Sequence, residues 1–114
     1  MDRRAMRALR TVKALHSAIW VFFVSCILGV PLAAVAGRFR LAVILSGLVW
    51  IECGVLAVNR GRCPLTDVAA RWTPDRDPGF DIYLPKWLAR SNLIVFGSLF
   101  GIGEVILAVA WVRR

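Results

Sequence analysis

The sequence predicts an all-α integral membrane protein: three transmembrane helices, with a short amphipathic helix in the one sizeable loop. Three observations carry this reading. The chain has 114 residues, 59% of them hydrophobic, and a mean hydropathy of +0.67. It contains three apolar runs of membrane-spanning length. The runs at 41–58 and 93–112 are apolar nearly all round, whereas helices of a small soluble domain keep a polar face. A chain of this size has no core that could bury three such runs, so residues 1–114 are expected to form a single membrane domain.

The formal net charge of +8 would point to nucleic acid in a soluble protein. Here the cations flank the apolar runs, where they set topology and face anionic headgroups. No basic stretch is interleaved with solvent-exposed aromatics, so nucleic acid is excluded as a partner. Cys26, Cys53 and Cys63 are odd in number, two lie inside spans and no C-x-x-C occurs, which excludes a disulfide framework.

Residues 1–13 carry Arg3, Arg4, Arg7, Arg10 and Lys13 around Met6 and Leu9. They are expected to form an amphipathic helical turn or two on the cytoplasmic membrane surface, feeding straight into the first span. Residues 14–36 are the first span. A basic start, an apolar centre and Ala34-Val35-Ala36 imitate a signal peptide, but the segment is expected to stay as an anchor, bent near its outer end by Pro31. The turn at 37–40 is too short for anything but antiparallel neighbours, and the second span follows at 41–58.

The loop at 59–92 is rich in proline and charge. Thr66 with Asp67 is expected to cap a short helix that stops before Pro74. Trp72, Tyr83 and Trp87 are expected to anchor the loop at the interface. The third span is 93–112. The amino terminus and long loop together hold eleven Lys and Arg, against four in the short turn and carboxyl terminus. The amino terminus and loop should therefore face the cytoplasm of a bacterial inner membrane, with the carboxyl terminus on the opposite side.

Charged groups in hydrocarbon are expensive and are normally turned toward protein. Glu52 lies about 17 Å from the outer end of span two and Glu104 about 12 Å from the outer end of span three, a gap of about 5 Å. That gap suggests a paired, protonated contact between them, because two buried carboxylates do not both ionise cheaply. Glu104 shares a helical face with Gly97, Gly101 and Ala108, a small-residue stripe that permits close approach of another helix, in this chain or in a partner. Glu52 has no such groove. It is expected to hydrogen-bond a backbone carbonyl or Ser25; the alternative roles are a proton relay, a counter-charge for a bound cation, or an interface.

His16, the single histidine, starts span one, on the side that also holds Cys63 and Thr66. A His, Cys and Glu metal site is the minor reading, because no H-x-x-x-H or Glu-x-x-His spacing occurs. Cys63-Pro64-Leu65-Thr66 reads as an elbow: Pro64 disfavours helix at Cys63 and turns the chain. Arg60 and Arg62 are the only nearby cations that could activate its thiol.

Leu15-His16, Glu52 upstream of Cys63-Pro64-Leu65-Thr66, and Phe80 with Tyr83-Leu84 resemble an uncharacterised family of small bacterial multi-span membrane proteins with a Cys-Pro-Leu-Thr loop. The similarity runs over most of the chain. The resemblance implies no established activity. That family also shows a histidine early in its second span, where this chain reads Leu41-Ala42-Val43-Ile44-Leu45-Ser46, and an acidic residue three after the threonine, where this chain has Ala69.

No catalytic constellation, metal or cofactor is expected from these residues. The sequence favours a non-catalytic accessory or assembly subunit of a larger respiratory or photosynthetic membrane complex, in contact with lipid or a pigment. A homo-oligomeric proton or cation conductor, or small transporter, using Glu52 and Glu104 is the alternative. An enzyme or redox module using His16 and Cys63 comes last.

Overall fold

The computed structural model describes residues 3–114. Four helices follow one another in it: α1 Arg3–Val35, α2 Phe39–Val58, α3 Pro64–Ala70 and α4 Lys86–Arg113. The helices α1, α2 and α4 are long and apolar enough to cross a membrane, so the chain is an integral membrane protein. A helix satisfies its own backbone, which is what a segment surrounded by hydrocarbon requires. The residues gather into two compact units. One joins α1 as far as Val21 to Val55–Ser91; the other joins Phe22–Gly54 to Asn92–Arg114. We call them the loop unit and the span unit.

In the span unit, α1 ends in a Schellman turn. Arg38 N–H donates to Ala33 O at 2.8 Å and Gly37 N–H to Ala34 O at 3.1 Å, with Gly37 at φ +77°. A left-handed residue at this position is most easily a glycine. The turn folds α2 back on α1, and α4 completes the packing. Cys26, Ile27, Val49 and Phe100 form one buried cluster, with Phe23, Leu45, Leu48, Cys53 and Phe96 packed on it. Nearer the turn, Ala33, Ala34 and Ala42 meet Ile106, Leu107 and Ala110. The cysteines of the spans thus serve as small apolar side chains.

Three contacts fix α2 against α4. Phe39 stacks edge-on with Trp111 at 5.5 Å, Ser46 bonds Glu104, and Trp50 stacks edge-on with Phe100 at 5.4 Å. From one contact to the next, α2 advances by seven and then four residues while α4 retreats by the same steps. The two helices therefore run antiparallel in matched register. Glu104 lies level with Ser46, six residues before Glu52, so the two glutamates are about 9 Å apart along the helix. This corrects the expected carboxylate pair. Counting from the apolar run boundaries placed the outer ends of the two spans at different levels, whereas Phe39 and Trp111 mark the true common level.

The expected packing stripe faces outward rather than into this chain. A Cβ at Gly97 or Gly101 would meet nothing within 4 Å, and Gly97, Gly101 and Ala108 are all exposed. The packing glycine is Gly103, where a Cβ would stand 3.1 Å from Pro31 Cδ and 3.8 Å from Ile27 O. Pro31 has no N–H for the Ile27 carbonyl, and its ring takes up extra room on that side of α1. Gly103 supplies the room.

In the loop unit, the basic amino-terminal segment is helical from Arg3 onward. It continues into α1 without a break. Val12 is buried and Ala5, Ala8 and Leu9 are half-buried, while Arg3, Arg4, Arg7 and Arg10 are exposed. These apolar positions recur at helical spacing, so one face turns inward and the cations turn out. The helix α2 closes with a second Schellman turn, in which Gly61 N–H donates to Leu56 O at 2.6 Å and Arg60 takes the left-handed position at φ +59°. The helix α4 starts at Lys86, seven residues ahead of the apolar run. Trp87 therefore sits in its first turn rather than in the loop.

Gly103→Leu should lower thermal stability in detergent by about 1–3 kcal/mol through overpacking against Pro31. Gly97→Ala and Gly101→Ala should melt at or above the temperature of the unaltered chain, because alanine favours helix by up to about 1 kcal/mol and meets no neighbour there.

Candidate functional site

The polar groups of the loop unit converge on Asp81, a buried carboxylate between α1, α3 and the segment leading into α4. Thr66 Oγ1 donates to Asp81 Oδ2. His16 Nδ1 lies 3.1 Å from Asp81 O and 3.5 Å from Asp81 Oδ2. A carbonyl only accepts, so the contact with Asp81 O requires the proton on Nδ1, an assignment made from the hydrogen-bond network.

One residue along α1, Ser17 works in both directions. Its hydroxyl donates to Lys13 O at 2.8 Å and accepts from Tyr83 N–H at 2.9 Å. Lys13 Nζ lies 4.7 Å from the centre of the Tyr83 ring. Lys13, His16 and Ser17 share one face of α1 by their spacing of three and four residues. That face is stitched to Asp81 and Tyr83 by backbone and side chain together.

The elbow differs from expectation in one respect. Helix α3 starts at Pro64, with Cys63 as its N-cap at φ −65°, ψ 138° and no side-chain capping bond. Proline suits the first helical position and holds Cys63 extended. Thr66 is therefore not the cap. It lies inside the first turn, and its hydroxyl goes to Asp81 instead. The expectation that His16 meets Thr66 or Cys63 becomes a link through a third residue, with Asp81 between His16 and Thr66. Cys63 is half-buried and not disulfide-bonded.

A second set of bonds closes the elbow. Asn59 Nδ2 donates to Arg62 O at 2.8 Å and to Asp67 Oδ2 at 3.0 Å, while Arg62 lies 3.6 Å from Asp67 Oδ1. Farther along, Arg76 donates to Thr73 O and Asp75 O, both at 2.6 Å, and covers the Phe80 ring at 5.3 Å. The turn before Phe80 is held by these bonds, with Gly79 at φ +87°.

In the span unit, Ser46 Oγ donates to Glu104 Oε1 at 2.5 Å. Ser46 is buried and Glu104 half-buried. Glu52 is half-buried as well. Of the expected anchors, Tyr83 and Trp87 are 55% and 68% exposed, as residues facing headgroups would be, while Trp72 is half-buried.

The order of groups at Asp81 is hydroxyl, carboxylate, imidazole. A nucleophile activated by histidine has its hydroxyl on the imidazole and its carboxylate behind. Here the threonine proton points at the carboxylate, which leaves the imidazole no hydroxyl to deprotonate through this contact. The arrangement suits holding three segments together. Among the described residues, no three His, Cys, Asp or Glu side chains come together to hold a metal.

Sequence reasoning missed Asp81, Ser17, Ser46 and Gly103. Asp81 had a signal: one acidic residue within the otherwise apolar Phe80–Leu84 stretch. Ser46 had another, as a hydroxyl amid apolar neighbours. No protein-family model matches the chain, and the searches found no similar curated protein or solved structure.

Asp81→Ala should destabilise the loop unit by about 1–3 kcal/mol, because Thr66 and His16 lose a buried partner. Hydrogen exchange at the Tyr83 amide should speed up. Exposed Asp75→Ala should leave that amide unchanged. Ser46→Ala should cost about 1 kcal/mol in detergent melts, the scale of a hydrogen bond between membrane helices.

Proposed function

We propose that this protein is a non-catalytic accessory or assembly subunit of a larger membrane complex, respiratory or photosynthetic in kind. The observation that carries the reading is the internal pairing of its polar side chains. Glu104 has Ser46, and Asp81 has both Thr66 and His16. Among the described residues no buried side-chain nitrogen or oxygen lacks a partner. Groups engaged in fastening helices are poorly placed for turnover.

The outer surface supports the same reading. Only 17% of the most apolar stretch of α2 and of α4 is buried, and 28% of that of α1. Lipid, pigment or neighbouring protein must cover the rest, and the exposed Gly97, Gly101 and Ala108 stripe permits close approach by another helix. The proposed setting is a bacterial inner membrane, with the amino terminus and long loop in the cytoplasm. Kinship with the Cys-Pro-Leu-Thr proteins belongs to the same proposal and adds no activity to it.

The chain, extracted in mild detergent from its native membrane, should copurify with a larger complex. A stable, monodisperse 12.7 kDa monomer that brings nothing with it would count against the proposal. The competing reading is a homo-oligomeric proton or cation conductor, or a small transporter. It draws on the two half-buried intramembrane carboxylates, Glu52 and Glu104. It requires ion flux in liposomes that disappears in the Glu52→Gln, Glu104→Gln double variant; the accessory-subunit reading expects no flux from either protein.

A further inference from the structure

We propose that Arg10 and Lys13 form a headgroup site for an anionic phospholipid, with the Tyr83 ring beneath Lys13 as its apolar floor. The inference is independent of the accessory-subunit reading. It starts from the length of α1. The 33 residues of this helix rise about 50 Å, against about 30 Å of hydrocarbon and a further 5–7 Å of headgroups on each side. Lys13 directly precedes the apolar run that opens at Ala14, and Arg10 lies about 4.5 Å farther out along the same helix. Lys13 is thus at headgroup level, and Arg10 is just above it, within reach of its own long side chain. Arg3 and Arg4 stand about 13–15 Å farther out than Lys13 along the same helix, more than a Debye length of about 8 Å beyond it.

On α4, Arg90 likewise stands just ahead of the apolar run at 93–112, at headgroup level. Trp87 is one turn from Arg90, and both are exposed. Aromatic residues at this depth are those that settle among headgroups.

Charge supplies the choice of ligand. Arg10 and Lys13 are three residues apart on one face of α1, and like charges at this spacing destabilise a helix. Neither meets a carboxylate among the described residues. The nearest acid on the adjoining segment, Asp81, is occupied by Thr66 and His16. Lys13 is instead held over the Tyr83 ring at 4.7 Å, and Tyr83 is pinned in turn by its N–H bond to Ser17. Lys13, held over the exposed Tyr83 ring, and the exposed Arg10 one turn away, neither with a carboxylate among the described residues, match a phosphodiester headgroup with net negative charge. A zwitterionic headgroup brings its own cation and gains much less.

The test is lipid retention by the full chain in mixed phosphatidylglycerol and phosphatidylcholine, counted by native mass spectrometry. Phosphatidylglycerol should be retained preferentially, and the preference should fall about fivefold for each of Arg10→Gln and Lys13→Gln. Arg3→Gln with Arg4→Gln removes the same charge beyond headgroup reach and should change it by less than about twofold. Lys13→Arg keeps the charge and should keep the preference, which separates loss of the site from loss of folding. Equal retention of both lipids by the unaltered chain overturns the proposal. So does an equal loss in the Arg3 and Arg4 double variant, which would make net charge the cause, or a loss in Lys13→Arg as large as in Lys13→Gln.

Discussion

Hydrocarbon offers Glu104 no water, and the Ser46 hydroxyl at 2.5 Å takes the place of that water. A polar group at such depth narrows the ways two apolar helices can slide past each other, because most registers would leave it facing lipid. The aromatic contacts on either side, Phe39 with Trp111 and Trp50 with Phe100, fall at matching steps along both helices. Apolar packing alone discriminates weakly among registers in a membrane, where lipid tails are as apolar as leucine. One directional bond supplies discrimination that the surrounding leucines and valines do not.

The same logic operates at the loop, with a different currency. Asp81 is buried where water is scarce, and it draws Thr66 from α3 and His16 from α1 toward one carboxylate. Ser17 then fixes the neighbouring backbone through Tyr83 N–H. A stretch rich in proline and charge acquires one arrangement because few positions satisfy all of these groups at once. Pro64 contributes by starting α3 early, which turns the Thr66 hydroxyl away from capping and toward Asp81.

The three spans and the short helix were legible from apolar run length and from Pro64 and Pro74, since both depend on local chemistry. The inward face of α4 was not. Its buried or packed positions, Phe96, Phe100, Gly103, Leu107 and Ala110, follow a regular three-and-four spacing, but so does the exposed line through Gly97, Gly101 and Ala108. In a helix apolar on every side, polarity cannot separate the two. Small size alone did not single out Gly103, the glycine packed within the chain, because it answers a bulge made by Pro31 on another helix. Likewise Glu104 was identified as facing protein, but its partner depended on a register that no single span encodes. The role of Asp81 needed residues 65 positions apart in the chain.

The Gly37 turn also bears on how the chain enters a bilayer. With Arg38 N–H bonded back to Ala33 O and only Ala36, Gly37 and Arg38 between the ends of α1 and α2, neither helix has slack to insert while its neighbour waits outside. The pair has the geometry of a helical hairpin, in which the apolar surfaces of both helices would enter a bilayer together. Its tip holds Arg38 and Arg40, and the combined apolar surface of two helices offsets the cost of cations beside hydrocarbon better than one helix alone would.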